Sequence, residues 1–396
     1  MARHNHAVLP ESVDYLLVEL AQLTPSVTCV LVGFVLKEGA SQCFAQVANR
    51  DQVTAVVPRE GGAVIEYLEP PTLKQRALER TRLAQRNWAV DWMHANLPGY
   101  FCARGDLAVM PTAELMTTDQ QALFGDPNDR ARLLHQDWRY VVARFGTVWT
   151  FRGEGGQSLR VSFSDSDTEA APFHLVASLC TSELEPGILQ RMGWGDKAPA
   201  SYVAYCHAQL KGILQNWAGL VFLVEAAKDI KLARQTMQVG KLSRRKTMQV
   251  LDRVQRFFDQ AGSVSVAATE IRDRVQIGAV ALPDCAHFEA PAWGRDGAPR
   301  ILATELLARA GRQAAEVVEI ESALREHFTQ LTSVVSIRES IAAQKKMEWL
   351  TYAAIFVALA SLAVAVLSVQ DWTPVLGWWH RLKSSVLQSG RGLLNR

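Results

Sequence analysis

The feature that most constrains this chain is a run of about 21 residues without a charged side chain, from Trp349 to Val369. About 20 apolar residues, rising 1.5 Å each, are needed to cross a bilayer core of about 30 Å. Two lysines precede the run, and Trp349 and Trp372 lie near its ends, where aromatic rings prefer the membrane interface. A buried core helix is the alternative. Length and flanks favour a transmembrane helix at 347–370.

Two paths relative to the membrane are compatible with the tail after this run, 371–396. Its apolar part is too short for a second span, and a single crossing would place Arg381 and Lys383 outside, against the usual bias. One interpretation is an interfacial segment, with Trp378 and Trp379 in the headgroup layer and the basic residues on lipid phosphates. The other is a re-entrant segment that returns to the cytoplasm. The sequence does not decide between them.

The stretch before the run, 301–346, predicts a long stalk helix. It contains no proline and one glycine, Gly311, and apolar residues recur three and four apart from Val317 to Val335. This spacing is typical of a helix that packs against another helix. One helix running on through the span would be about 100 Å long. We expect a stalk that assembles with copies of itself; the alternative is an amphipathic helix lying on the globular body.

One face of the predicted span is made of small residues. Larger side chains, such as Phe356 and Leu362, occupy the other side. Helices in lipid associate by close packing through small residues. We therefore expect this face to mediate assembly or to line a narrow, weakly polar pore. Its members, alternately four and three residues apart, are Ala354, Ala358, Ser361, Ala365 and Ser368.

A cytosolic domain, a long membrane-proximal helix and a C-terminal membrane segment together resemble the CorA-type magnesium channels. They also resemble the CorA-like membrane effectors of bacterial anti-phage systems. The resemblance is architectural and covers about residues 301–380. The Gly-Met-Asn signature and the second full span of the channels are absent, since the corresponding stretch reads VQDWTPVLGWW. The resemblance therefore implies an effector that perturbs the membrane rather than a magnesium transporter.

The rest of the chain predicts an α+β cytosolic, sensor-like domain at 1–185 and a mainly helical domain at 186–300. We expect the chain to be almost wholly helical after about residue 186. Before it, the predicted elements are a helix at 12–23, strands at 27–39, 42–47 and 53–58, a long helix at 73–97 and a hairpin within 146–165.

Composition and motifs argue against an enzyme. The six cysteines are scattered without a CxxC pair, as expected for reduced thiols in the cytoplasm. The first residues lack the apolar stretch of a signal peptide. Nucleotide-binding P-loop, nucleophile-elbow and zinc-protease motifs are all missing. His287-Phe288-Glu289 lacks the CxxC that would complete a deaminase zinc site. We expect no catalytic residue, no metal and no cofactor, and a location in the bacterial inner membrane with the N-terminal domain in the cytoplasm.

A basic segment at 228–256 is the one candidate for ligand binding. It carries nine lysines and arginines against two aspartates in a chain whose net charge is only +2. We expect it to bind an anionic nucleotide, a short oligonucleotide or lipid headgroups. A solvated basic surface is the alternative. The candidate ligands are Lys241, Arg244, Arg245 and Lys246.

Two functions follow from these expectations. The first is a bacterial membrane effector in anti-phage defence, whose cytosolic domain senses a signal and whose oligomeric transmembrane helices alter membrane permeability. The second is a membrane-tethered adaptor or scaffold. The expected partners are the lipid bilayer, further copies of the chain, the anionic ligand and a protein encoded in the same operon.

Overall fold

The structure of this chain is a computed structural model, and it falls into two compact units, 1–325 and 326–396. The boundary that the sequence predicts near residue 186 lies inside the first unit. The residues that the structure describes are 8–58, 65–120, 122–124, 146–154, 156–163, 174–195, 199–237, 264–276, 285, 287–292, 297–367 and 377–383.

The first unit opens with a long β-hairpin. Strand β1, Val13–Thr24, pairs antiparallel with β2, Val27–Leu36. The helix predicted for 12–23 is therefore wrong, whereas the strand predicted within 27–39 is confirmed. Apolar residues occupy so many positions of β1 that their spacing fits either period. Pairing across a short turn with β2, which is rich in β-branched residues, favours a strand over a helix for these residues.

A helix replaces the next predicted strand. Helix α1, Glu38–Asn49, includes residues 42–47, so the strand prediction there is wrong. Phe44, Val47 and Ala48 lie three and four residues apart and pack against one buried apolar cluster of the first unit. This spacing is that of a helix face, and the tertiary contact stabilises it.

The next two predicted elements are confirmed. Strand β3, Ala55–Pro58, pairs with β4, Ile65–Leu68, and helix α2 covers Pro70–Asn96. A proline at the start of α2 suits a position whose N–H has no helical partner. The chain then passes through Gly99, whose φ of 132° suits glycine, into the short helix α3, Tyr100–Arg104.

A six-stranded sheet forms the centre of the first unit. β5 pairs parallel with β8, and the remaining described pairs are antiparallel. The hairpin predicted within 146–165 is confirmed as β6 and β7. The strands, in the order β10-β9-β6-β7-β8-β5, are β5 (Thr112–Thr118), β6 (Val148–Phe151), β7 (Leu159–Phe163), β8 (His174–Cys180), β9 (Phe288–Ala290) and β10 (Arg300–Ile301).

The prediction of an almost wholly helical chain after residue 186 is wrong at β9 and β10. These strands have three and two residues, too few to show an alternating pattern in the sequence. They extend the sheet beside β6, so chain from both sides of residue 186 contributes to one sheet.

One face of the sheet is apolar and packs against helices. These are α4, Ile188–Arg191, α5, Pro199–Met237, and the first turns of α6, Leu302–Leu367. Phe151 of β6 and Tyr205 of α5 are both buried in the same cluster. The apolar core of the first unit therefore also joins residues before and after residue 186.

The opposite face of the sheet is buried but partly polar. Arg160 lies between Thr150 and Ser178 on the neighbouring strands, and all three are at least nine-tenths buried. The Arg160 guanidinium donates to the carbonyl of Phe124 at 2.6 Å and pairs with Glu183 at 2.8 Å. The charge of Arg160 is thus matched within the chain, as a buried charge requires.

Helix α6 is one uninterrupted helix of 66 residues, which confirms the single long helix predicted from the stalk into the span. At 1.5 Å per residue it is about 100 Å long. Ala314, Val317 and Leu324 are fully buried. From Arg325 to Ala365, no side chain that the structure describes is buried. The helix is therefore part of the packed body up to Leu324, and its described side chains after that residue are exposed or half-buried.

Candidate membrane-spanning helix and buried charge cluster

The C-terminal part of α6 presents an apolar surface to its surroundings. Phe356 is 74% exposed and Leu359 is 59% exposed. Among the helices of the described ranges, α6 alone is long and apolar enough to cross a membrane, and its apolar window is entirely unburied. Moving apolar surface out of water gains about 25 cal/mol per Å². This surface therefore supports association of the chain with a membrane.

Four of the five predicted assembly residues lie on this part of α6, and Ser368 lies outside the described residues. Side chains four and three residues apart lie above one another on a helix, so the four share one face. Small side chains on one face let two helix backbones approach closely. The four, all exposed in the single chain, are Ala354, Ala358, Ser361 and Ala365.

The start of the uncharged stretch has the composition of a membrane interface. Trp349 and Tyr352 are exposed about one turn apart, and Lys345 lies one turn before Trp349. Tryptophan and tyrosine prefer the headgroup level of a bilayer. The hydroxyl of Thr351 donates to the carbonyl of Met347 at 2.8 Å. This hydroxyl therefore has a partner within the helix, which suits a lipid environment.

The predicted ligand residues Lys241, Arg244, Arg245 and Lys246 lie outside the described residues. The preceding part of the basic segment is described, at the end of α5. There Lys231 pairs with Glu316 at 2.6 Å. This contact links α5 to α6 at the surface of the first unit, where an ion pair contributes little to stability.

A cluster of charged side chains that the sequence analysis missed lies beside β5. The Nε of Arg82 donates to Oε2 of Glu114 at 2.8 Å, and Arg86 lies 3.7 Å from the same carboxylate. His174 Nε2 lies 3.3 Å from Glu114 Oε2, and Thr112 Oγ1 lies 3.0 Å from His174 Nδ1. The cluster thus joins α2 to the parallel pair β5 and β8.

Burial and charge set the ionisation of this cluster. Burial disfavours the charged form of Glu114, but Arg82 and the hydrogen bond from His174 hold the pKa of Glu114 well below its usual range. Burial lowers the pKa of His174 to about 4 and that of Arg86 to about 10. At pH 7 the cluster therefore contains an ionised carboxylate, a neutral imidazole and two guanidinium groups.

The hydrogen bonds of the cluster fit a neutral imidazole. A neutral imidazole has one donor nitrogen and one acceptor nitrogen. His174 Nε2 lies 3.3 Å from both Glu114 Oε2 and Arg82 Nη2, and His174 Nδ1 lies 3.0 Å from Thr112 Oγ1. A hydroxyl, an imidazole and a carboxylate in line also occur in nucleophilic catalysis. Here, however, Arg82 pairs with the carboxylate, and His174 is 97% buried. We therefore interpret the cluster as a structural contact that holds α2 on the strands β5 and β8.

A second polar cluster joins α3 to α5. The hydroxyl of Tyr100 donates to Asp229 at 2.8 Å, and Arg104 pairs with Asp229 and with the buried Glu225. The Arg104 guanidinium lies 4.4 Å from the centre of the Tyr100 ring. Burial raises the pKa of Tyr100, so its hydroxyl keeps its proton and remains a donor. This cluster, too, fastens two helices.

In the described ranges, no group of three or more histidine, cysteine or acidic side chains could hold a metal ion. His287 and Glu289 lie at β9, where the His287 carbonyl accepts from the Arg152 N–H at 2.6 Å. None of the six cysteines, all of which lie in the described ranges, forms a disulfide. Burial raises the pKa of Cys206, which makes it a poor nucleophile.

No family model, no curated protein and no solved structure matches this chain.

Proposed function

We propose that this chain is a membrane effector whose copies assemble in the bilayer and change its permeability. The observation that carries the proposal is the exposed, uncharged part of α6. The same helix begins in the apolar core of the first unit, where Leu302 and Leu306 are buried. An unbroken helix can transmit a displacement along its axis. A change in the folded domain would therefore reach the membrane segment through α6.

Assembly in this proposal uses the small-residue face. Lipid tails are as apolar as the larger side chains of α6, so those side chains gain little from helix contact. Ala354, Ala358, Ser361 and Ala365 give close backbone approach instead. When several copies meet along this face, the Ser361 hydroxyls come together near the middle of the span. The resulting passage would be narrow and weakly polar.

The proposed input is an anionic ligand, a nucleotide or a short oligonucleotide, at Lys241, Arg244, Arg245 and Lys246. The proposed setting is anti-phage defence at the bacterial inner membrane, with a partner protein encoded in the same operon. Support for the setting is the architectural resemblance of residues 301–380 to CorA-like effectors. Support for the ligand is the excess of positive charge within 228–256.

Expression in a bacterial host tests the proposal against a tethered scaffold. The full chain is compared with a chain that ends at residue 345, and membrane potential is followed with a potential-sensitive dye. We expect the full chain to depolarise the host and the truncated chain to leave the potential intact. A full chain that is found in the membrane fraction while the potential stays intact would support the scaffold instead.

A further inference from the structure

A short helix at 377–383 carries an amphipathic surface that the proposed function does not use. Trp378 is 61% exposed and Trp379 is 64% exposed, and Leu382 is also exposed. Leu382 lies four residues after Trp378 and three after Trp379, so the three side chains share one face of the helix. Two adjacent exposed tryptophans are unfavourable in water and typical of a membrane interface.

The charges of this region have a single sign. Within 377–383 the polar residues are His380, Arg381 and Lys383, and no acidic residue occurs from residue 372 to the C-terminus. That tail holds four of the 42 lysines and arginines. The remaining chain therefore has 38 of them against 40 acidic residues, a net charge of −2. The tail beside the candidate span therefore carries four positive charges and no negative side chain.

We propose that the helix 377–383 lies in the headgroup layer of an anionic lipid surface. Trp378, Trp379 and Leu382 enter the layer, while Arg381 and Lys383 contact lipid phosphates. The charge complementarity and the position of the helix just after the candidate span carry this inference, which rests on the proposed membrane anchoring but not on the proposed change in permeability.

A re-entrant path is less favourable for this helix. It would carry Arg381 and Lys383 into the hydrocarbon region, where charged side chains are costly. At the interface the same side chains keep water and phosphate around their charged ends. Each basic residue near an anionic surface strengthens binding about fivefold, since the electrostatic attraction is about 1 kcal/mol per lysine or arginine. The loss of binding on reversal of both charges should therefore be large enough to measure.

Fluorescence quenching by brominated lipids tests the proposal. The full chain is reconstituted in vesicles of phosphatidylcholine, with or without phosphatidylglycerol, and bromine is placed either near the headgroup or near the chain end. Trp378 and Trp379 are assigned by comparison with the double variant Trp378→Phe/Trp379→Phe. We expect their fluorescence to be quenched mainly by bromine near the headgroup, and more strongly when phosphatidylglycerol is present.

Charge reversal provides the matched comparison. Arg381→Glu/Lys383→Glu should remove the effect of phosphatidylglycerol on Trp378 and Trp379, whereas Lys345→Glu/Lys346→Glu, on the other flank of the span, should leave it unchanged. Quenching mainly from the chain end, or quenching that is independent of phosphatidylglycerol, would overturn the proposal. Dye release from the same vesicles reports permeability separately, so a failure of the effector function would not be confused with a failure of this inference.

Discussion

At the scale of single residues, Glu114 joins side chains from two elements of the first unit. Its carboxylate contacts Arg82 and Arg86 of α2 and His174 of β8. No local pattern predicts this meeting, because Arg82 and His174 are 92 positions apart. A sequence pattern reports on one element at a time, whereas this cluster exists only once α2 lies on the sheet.

We expect Glu114→Gln to destabilise the first unit by about 2–3 kcal/mol, because two guanidinium groups lose their carboxylate partner. The cost stays below that of a fully buried pair, since 21% of the Glu114 side chain is exposed. Urea unfolding of the full chain in detergent measures the change. Glu319→Gln, at an exposed position of α6, is the control. Equal midpoints for the two variants would mean that the cluster contributes no stability.

His174 predicts a dependence of stability on pH. Its pKa falls from 6.5 to about 4 in the folded chain, so the unfolded chain binds the proton more readily between these values. Stability should therefore decrease as pH falls from about 6.5 towards 4, by at most about 1.4 kcal/mol per pH unit. His174→Asn should flatten this part of the pH profile of thermal unfolding. An unchanged slope in the variant would exclude His174 as the titrating group.

At the scale of elements, α6 has two environments along one uninterrupted helix. Leu324 is fully buried and Ile337 is 57% exposed, although both are apolar residues of the same predicted stalk. Periodicity predicted the helix, and it could not predict where the helix stops contacting its own body. The reason is that the spacing of apolar residues predicts a helix but does not identify the surface against which that helix packs.

Leu324→Ala and Ile337→Ala should therefore differ in their effect on the free energy of unfolding. Leu324→Ala should cost about 2–5 kcal/mol, because it leaves a cavity among buried neighbours. Ile337→Ala should leave the stability of the monomer within about 0.5 kcal/mol of the original. Chemical denaturation of both variants in detergent, at a concentration where the chain is monomeric, makes the comparison. A similar cost for both would mean that Ile337 is packed within its own chain.

The small-residue face predicts a second pair of variants. Ala358→Leu places bulk on that face and should weaken assembly by about 1–3 kcal/mol per overpacked contact. Ala363→Leu is the same substitution on the opposite side of the helix, where lipid accommodates it. Crosslinking in membranes compares the oligomer populations. If the two variants crosslink equally, the face that contains Ala354, Ala358, Ser361 and Ala365 is not an interface.

At the scale of the whole molecule, the features set by local composition were predictable from the sequence. The long helix followed from the absence of proline, and the candidate span followed from the absence of charge between Trp349 and Val369. Features that depend on distant partners were not. β1 was predicted as a helix because the spacing of its apolar residues does not show that it pairs with β2. β9 is too short for its apolar residues to show an alternating pattern.

The folded domain also brings together parts that the sequence assigned to different domains. β9 and β10 follow a long helical region and yet complete the sheet that begins with β5. The first unit therefore extends to Arg325. In the proposed effector, a ligand bound in this unit would act through the core that contains the first turn of α6.

Current across a planar lipid bilayer tests the central proposal most directly, that copies of α6 assemble into a conducting path. The full chain, Ala358→Leu and Ala363→Leu are each inserted at matched and increasing density. We predict stepwise conductance for the original chain and for Ala363→Leu, with a large loss for Ala358→Leu. Inserted protein that gives no conductance at any density, or equal conductance in all three chains, would contradict the account.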